Sequence, residues 1–207
     1  MTAQLLTRMT HRAPNRPGVA FLGDLSLSLG RVHEITGPAR RTLTALIAAK
    51  MQGPIFWIAP AWHADRLNPE GICRLFHPGR LTFLDPMRAE DLLWTMEEVL
   101  RSGAVPLVVA DLATPPALTP VRRLHLAAET GHATTGHWPL GLILTPDQGG
   151  APGVESRWHL SPRHQPGAKR SWRLDRLRAR TAPQQSWEIT AAAGQFHAAP
   201  TATEIAC

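Results

Sequence analysis

HEITGPARRTLTALIAAK, residues 33–50, changes its periodicity at a Gly-Pro step, and that change sets the fold class. Before the step, Arg31–Thr36 is a short run with Val, Ile and Thr in it, which predicts a strand. After it, Leu43, Leu46, Ile47 and Met51 recur at helical spacing and share one face, until Gly53-Pro54 ends the helix. A strand handing over to an amphipathic helix through a tight turn is half of a crossover unit, so a parallel sheet is expected.

The segments that follow keep this rhythm. Ile55–Ala59 and Leu81–Leu84 are apolar runs of the buried-strand type. Pro86 is placed in the first turn of a helix capped by Asp85, with Leu92, Leu93, Met96, Val99 and Leu100 as its stripe and Gly103 as its stop. Val105–Ala110 reads as a strand ending at Asp111, the carboxyl end where doubly wound sheets carry polar site residues. Another helix is expected from a Thr119 cap, with Pro120 behind it, to a stop at Gly131, followed by the strand Leu140–Leu144.

Beyond residue 150 the pattern changes. Trp158-His159-Leu160, Trp172-Arg173-Leu174 and Trp187-Glu188-Ile189 recur at spacings of 14 and 15 residues. Their alternation predicts three antiparallel strands with Trp and Leu or Ile on the core and with His159 and Arg173 facing away. The fold class expected is α/β, a mainly parallel sheet flanked by helices with an antiparallel extension at the C-terminal end. Residues 1–20 are expected as a mobile polar segment, 21–190 as the core domain, and the Ala- and Thr-rich 191–207 as a disordered tail.

A chain of 207 residues suits one domain of this kind. No apolar run approaches the roughly 20 residues of a membrane span, and the N-terminus has no stretch suited to a secretory signal. Cys73 and Cys207 form neither a disulfide framework nor a CxxC pair. A soluble, cytoplasmic protein in a reducing compartment is the expectation. The formal charge of +6 is local: Glu155–Arg180 holds eight Lys or Arg against two acids, which accounts for the whole excess. Such a patch favours a polyanion or an acidic partner surface, a solvated basic face being the plain alternative.

Gly30–Pro38 resembles the approach to the phosphate loop of RecA-type recombinases, and Leu100–Val105 with Val108–Asp111 resembles their helix and Walker B strand. Ala117-Leu118-Thr119-Pro120 matches the segment after that strand, so the similarity runs in order over roughly residues 21–180. GPARR at the loop and WRLDRLRARTAP near the end look most like the ImuA family. That resemblance implies a RecA-like fold and a role in SOS-induced error-prone translesion DNA synthesis. It also implies contact with an inactive Y-family polymerase homologue and an error-prone replicative-type polymerase, with RecA as a further partner.

The departures bear on mechanism. Laid against the recombinase loop without a gap, Gly37, Pro38 and Thr44 keep their positions, while Thr42 stands for the second glycine and Leu43 for the lysine. A phosphate loop works because backbone N–H groups converge on the phosphates and the lysine neutralises them; both features are weakened here. Arg40 and Arg41 are expected to fill or cap the cradle. The catalytic glutamate expected within Ala59-Pro60-Ala61-Trp62-His63 is absent. Asp111, which in an active relative helps hold Mg²⁺, is expected as a helix cap or loop anchor. The residues therefore predict no catalysis and no bound cofactor.

Val121-Arg122-Arg123 runs directly into a helix and Thr145–Glu155 is short, leaving no room for the recombinase's DNA-binding loops. Arg122, Arg123, Arg173, Arg176, Arg178 and Arg180 are the candidates for binding a partner or, weakly and without sequence preference, the DNA backbone. Trp62 and Trp138 lie in loops and are the aromatic interface candidates. His125, His132 and His137 with Glu129 offer only one pair at i, i+4, so no metal site is expected. Two other functions remain open: an ATPase whose atypical loop uses Arg40 or Arg41 on the γ-phosphate, and a cell-division regulator resembling the SulA type.

Overall fold

In a computed structural model, residues 16–62, 65–165, 170–192 and 194–201 are described. Gly18–Leu22 (β1) and Leu25–Ser28 (β2) pair as an antiparallel hairpin. β1 thus begins inside the segment expected to be mobile, and residues 1–15 lie outside the described set. The stretch around Gly37 forms the elements its pattern predicts: Val32–Thr36 is β3, buried at every position, and Arg40–Ala49 is α1. Leu43, Leu46, Ile47 and Met51 are all buried beneath that helix. Each such side chain contributes roughly 1.5–3 kcal/mol, and together they press α1 onto the sheet.

The chain continues through β4 (Ile55–Ile58), the single turn α2 (Pro69–Ile72), β5 (Leu81–Leu84), α3 (Ala89–Ser102) and β6 (Leu107–Asp111). Next come α4 (Leu118–Thr135) and β7 (Leu140–Leu144), then β8 (Ser156–Pro162), β9 (Arg170–Ala179), β10 (Gln185–Ala192) and β11 (Gln195–Pro200). These build one nine-stranded sheet of order β11-β10-β9-β8-β3-β7-β6-β4-β5. From β8 to β5 every pairing is parallel, and from β8 to β11 every pairing is antiparallel. The expected mainly parallel α/β sheet with an antiparallel extension is therefore present. Among the described residues no helix is long and apolar enough to cross a membrane.

Two cores lie on opposite faces. One gathers α1, the β1–β2 hairpin and the apolar residues of the extension, with Trp158, Trp187 and Trp172 buried as their alternation predicts. The other packs α3 and α4 on the parallel strands through Leu92, Met96, Leu100, Val121 and Leu124.

Several boundaries differ from expectation. α3 starts at Ala89 without a side-chain cap, and Asp85 instead pairs with Arg66 at 2.9 Å. The Pro86 carbonyl is held by the Ala61 N–H at 3.2 Å, which keeps that segment extended before the helix begins. Thr119 lies within α4, whose N-cap is Ala117. Gly131 does not end α4, which continues to Thr135 and stops at Gly136. A Cβ at Gly131 would fall on the Leu100 carbonyl oxygen, so this glycine serves the close crossing of α4 over the end of α3. The supposed tail is partly strand: β10 extends to Ala192 and β11 pairs along it, with Phe196 packed 5.6 Å from Trp172. Residues 202–207 lie outside the described set.

Candidate functional site

β3 and β6 flank β7 and run parallel to it, so the turn after Thr36 and the end of β6 lie at the same edge of the sheet. Gly37 there adopts φ 89°. A Cβ on it would sit 2.6 Å from the Leu160 carbonyl oxygen and 2.8 Å from His159 Cε1, so β8 crowds the turn from outside. The Ala39 N–H donates to the Leu160 carbonyl at 3.1 Å, and the Arg40 N–H donates to the Gly37 carbonyl at 3.1 Å. The amides of Ala39, the N-cap of α1, and of Arg40, its first residue, are thus committed to carbonyls. Thr44 is buried and donates its hydroxyl back to the Arg40 carbonyl at 3.0 Å. Pro38 is exposed and Thr42 half-buried.

Asp111 closes the same edge. Its side chain is 2% exposed, Arg41 Nε donates to Oδ2 at 2.8 Å, and Arg40 Nε stands 3.7 Å from Oδ1. The arginines of the first turn of α1 therefore reach across to β6 and neutralise its terminal carboxylate. Asp111 is an anchor between two elements; it caps no helix, since α4 begins at an Ala117 cap. Ala59–Trp62 carries no carboxylate, and His63 lies outside the described residues.

His159 alternates away from the Trp face as expected, yet it is buried rather than solvated, because the Gly37 turn covers it and Thr36 Oγ1 lies 3.0 Å from its Nδ1.

Two further polar residues of β3 carry networks that sequence reasoning missed. Glu34 is fully buried and accepts from Thr145 Oγ1 at 2.7 Å, the Gly150 N–H at 2.9 Å and the Ala151 N–H at 3.1 Å, while Arg157 forms an ion pair with it. It thereby pins the crossover from β7 to β8. His33 donates from Nε2 to the Ser28 carbonyl at 3.0 Å, which leaves Nδ1 to accept the Ser156 hydroxyl at 2.6 Å. The Trp158 indole N–H in turn donates to Ser156 Oγ at 2.7 Å. Burial lowers the His33 pKa to about 4, so the ring is neutral at pH 7. This Ser–His pair lacks an acid on Nε2 and ties the hairpin to the sheet. The available signal was two polar residues in the strand that leads into the Gly-Pro turn.

The candidate arginines divide. Arg123 pairs with Glu97 at 2.8 Å, and Arg173 pairs with Asp175 at 2.9 Å and reaches Ser186 Oγ at 3.1 Å. Arg176 lies over the rings of Trp187 and Trp158, at 5.1 and 5.5 Å, and donates to the Pro183 carbonyl. Arg122, Arg178 and Arg180 instead line one groove of about 620 Å³ with Leu118 and Leu126. Arg176 and Arg178 part company because Arg157 pairs with Arg178 and Trp158 with Arg176, leaving Leu177 as a bulge that inverts the alternation.

His125, in the floor of that groove, accepts the Val32 N–H on Nδ1 at 3.3 Å and donates from Nε2 to the Gly153 carbonyl at 3.1 Å. Burial lowers its pKa to about 4 as well. His132 stacks on Trp138, with ring centres 3.3 Å apart, and Arg16 lies over the same indole. Trp138 is thus a packed residue, whereas Trp62 is 59% exposed. Among the described residues no group of three or more His, Cys, Asp and Glu converges as metal ligands would.

No family model matches the chain, and no curated protein matches it.

Proposed function

We propose that this chain is a catalytically silent RecA-like domain acting as an accessory scaffold in SOS-induced, error-prone translesion synthesis. The observation that carries the silent reading is the Arg41–Asp111 ion pair beside an Ala39 N–H already bonded to Leu160. A working loop needs free amides and an unpaired cation at that point. The common sheet edge shared by the Gly37 turn and Asp111 supports the RecA-like comparison, since both features must meet for it to hold. The partners, the Y-family polymerase homologue and the replicative-type polymerase, with RecA beyond them, rest on the ImuA resemblance alone, as does a cytoplasmic location.

One observation favours the ATPase reading: Arg40 Nε is buried without a hydrogen-bond partner, its carboxylate contact with Asp111 being 3.7 Å. Against it, either arginine would have to leave a buried carboxylate to reach a phosphate. The test is phosphate release by the full chain with Mg-ATP, run beside co-purification with the two polymerases. The silent scaffold predicts release at the blank rate and a retained polymerase. Turnover abolished by Asp111→Ala, or no polymerase retained, overturns it.

A further inference from the structure

We infer that the groove between α4 and the end of β9 is a docking site for an acidic amphipathic helix of a partner protein. This inference rests on reading the chain as an interaction scaffold, and it names the surface. Leu118, Arg122 and Leu126 follow one another at i, i+4 and i+8, so they form a single stripe along α4. The two leucines stand about 12 Å apart along the axis, the rise of eight helical residues. Leu118 is 36% and Leu126 62% exposed, which makes both available apolar anchors.

Charge complementarity selects the occupant. Arg31, Arg122, Arg178 and Arg180 line the groove against a single acid, Glu129, which is already bonded to Arg16 and Arg31 at 2.7 and 2.6 Å. Arg31 and Arg180 share Glu155 at 3.6 and 3.7 Å, whereas Arg122 and Arg178 have no carboxylate within 4 Å among the described residues. A helix with two apolar side chains at matching spacing and Asp or Glu beside them would cover the leucines and pair these two guanidinium groups.

The backbone of the site is held in place: the Leu177 bulge turns Arg178 toward α4, and His125 holds the Gly153 carbonyl and the Val32 amide beneath, so the ordering cost of binding falls on the exposed Arg122 and Arg178 side chains. Single-stranded nucleic acid fits less well, because such strands are held by aromatic platforms and no Trp or Phe is among the residues lining this groove.

The test is selection of a displayed library of random peptides of about 16 residues, long enough for four helical turns, on the immobilised full chain. Enriched peptides are then synthesised and their affinities measured. The expected result is sequences rich in Asp and Glu with apolar residues seven or eight apart. Binding should weaken by on the order of tenfold or more in R122E/R178E and several-fold in Leu126→Ser, and stay unchanged in Arg88→Glu, an exposed control outside the groove. Circular dichroism and the thermal midpoint establish that each variant is folded.

Enrichment without acidic residues, no enrichment, or affinity indifferent to R122E/R178E overturns the inference. So does a DNA single strand of roughly 20 nucleotides that binds through the same arginines while no peptide is selected. Mg-ATP titration of the same preparations keeps the two readings apart: nucleotide binding with acidic peptides still selected would remove the silent-loop reading and leave the docking site standing.

Discussion

Removing the Arg41 guanidinium should destabilise the fold through Asp111, and the size of the effect follows from the geometry. The carboxylate is 2% exposed, and its short contact is the Arg41 Nε bond at 2.8 Å; Arg40 remains at 3.7 Å. At an effective dielectric of about 20, two unit charges some 4 Å apart attract by about 4 kcal/mol before desolvation is counted. Arg41 is itself 25% exposed, so part of that attraction is screened, and Arg40 partly compensates. Arg41→Ala should therefore cost about 2 kcal/mol, with Asp111→Ala similar. Because both substitutions remove one interaction, the double variant should cost much less than their sum, with a coupling energy of about 1.5 kcal/mol. Urea unfolding of the four proteins at constant m-value reads the cycle directly. A coupling below about 0.5 kcal/mol would mean that the two residues act independently and that α1 is not tied to β6 through this pair.

Gly37→Ala should cost on the order of 2–3 kcal/mol, since it combines a left-handed backbone with a Cβ driven against the Leu160 carbonyl; an unchanged urea midpoint would mean the turn relaxes freely. For the histidines the sign is set by a folded pKa of about 4 for both His33 and His125, below the unfolded value near 6.5. The unfolded chain binds the extra protons, so stability is fully present above about pH 7 and falls as pH drops through 6.5 toward 4, by about 3 kcal/mol for each ring. His33→Gln should remove about half of that pH dependence in denaturation curves from pH 7 to 5, and an unaltered slope would mean His33 does not titrate on unfolding.

How far the sequence carried the reading depends on whether the signal was local. β7 matched its apolar run at both ends, and α1 followed its heptad-like stripe, because burial on the sheet and the residue pattern ask for the same thing. Thr119 misled because α4 starts one residue before it, behind an Ala117 cap, and Gly131 misled because its role is tertiary: it is small to admit α3, and no pattern within α4 reveals a neighbour. The β1–β2 hairpin carries a local signal of its own, since Phe21, Leu22, Leu25 and Leu27 are buried around a Gly23-Asp24 turn; β11 carries little, because only Phe196 and Ala198 pack against the core and both stay partly exposed.

At the site, the departures from Gly-Lys were visible in residues 37–44, but the Leu160 carbonyl that binds the Ala39 amide was not, since it comes from a strand more than a hundred residues away. The grouping of Arg176 with Arg178 failed at a single bulge, which strict alternation cannot foresee.

Calorimetric titration of the full chain with Mg-ATP, to about 1 mM nucleotide, tests the proposed silent loop without intermediaries. An Ala39 amide bonded to the Leu160 carbonyl and an Arg41 held by Asp111 predict only dilution heat in the natural chain. Saturable, stoichiometric binding that disappears with Arg41→Ala would contradict that picture and make the arginine a phosphate ligand.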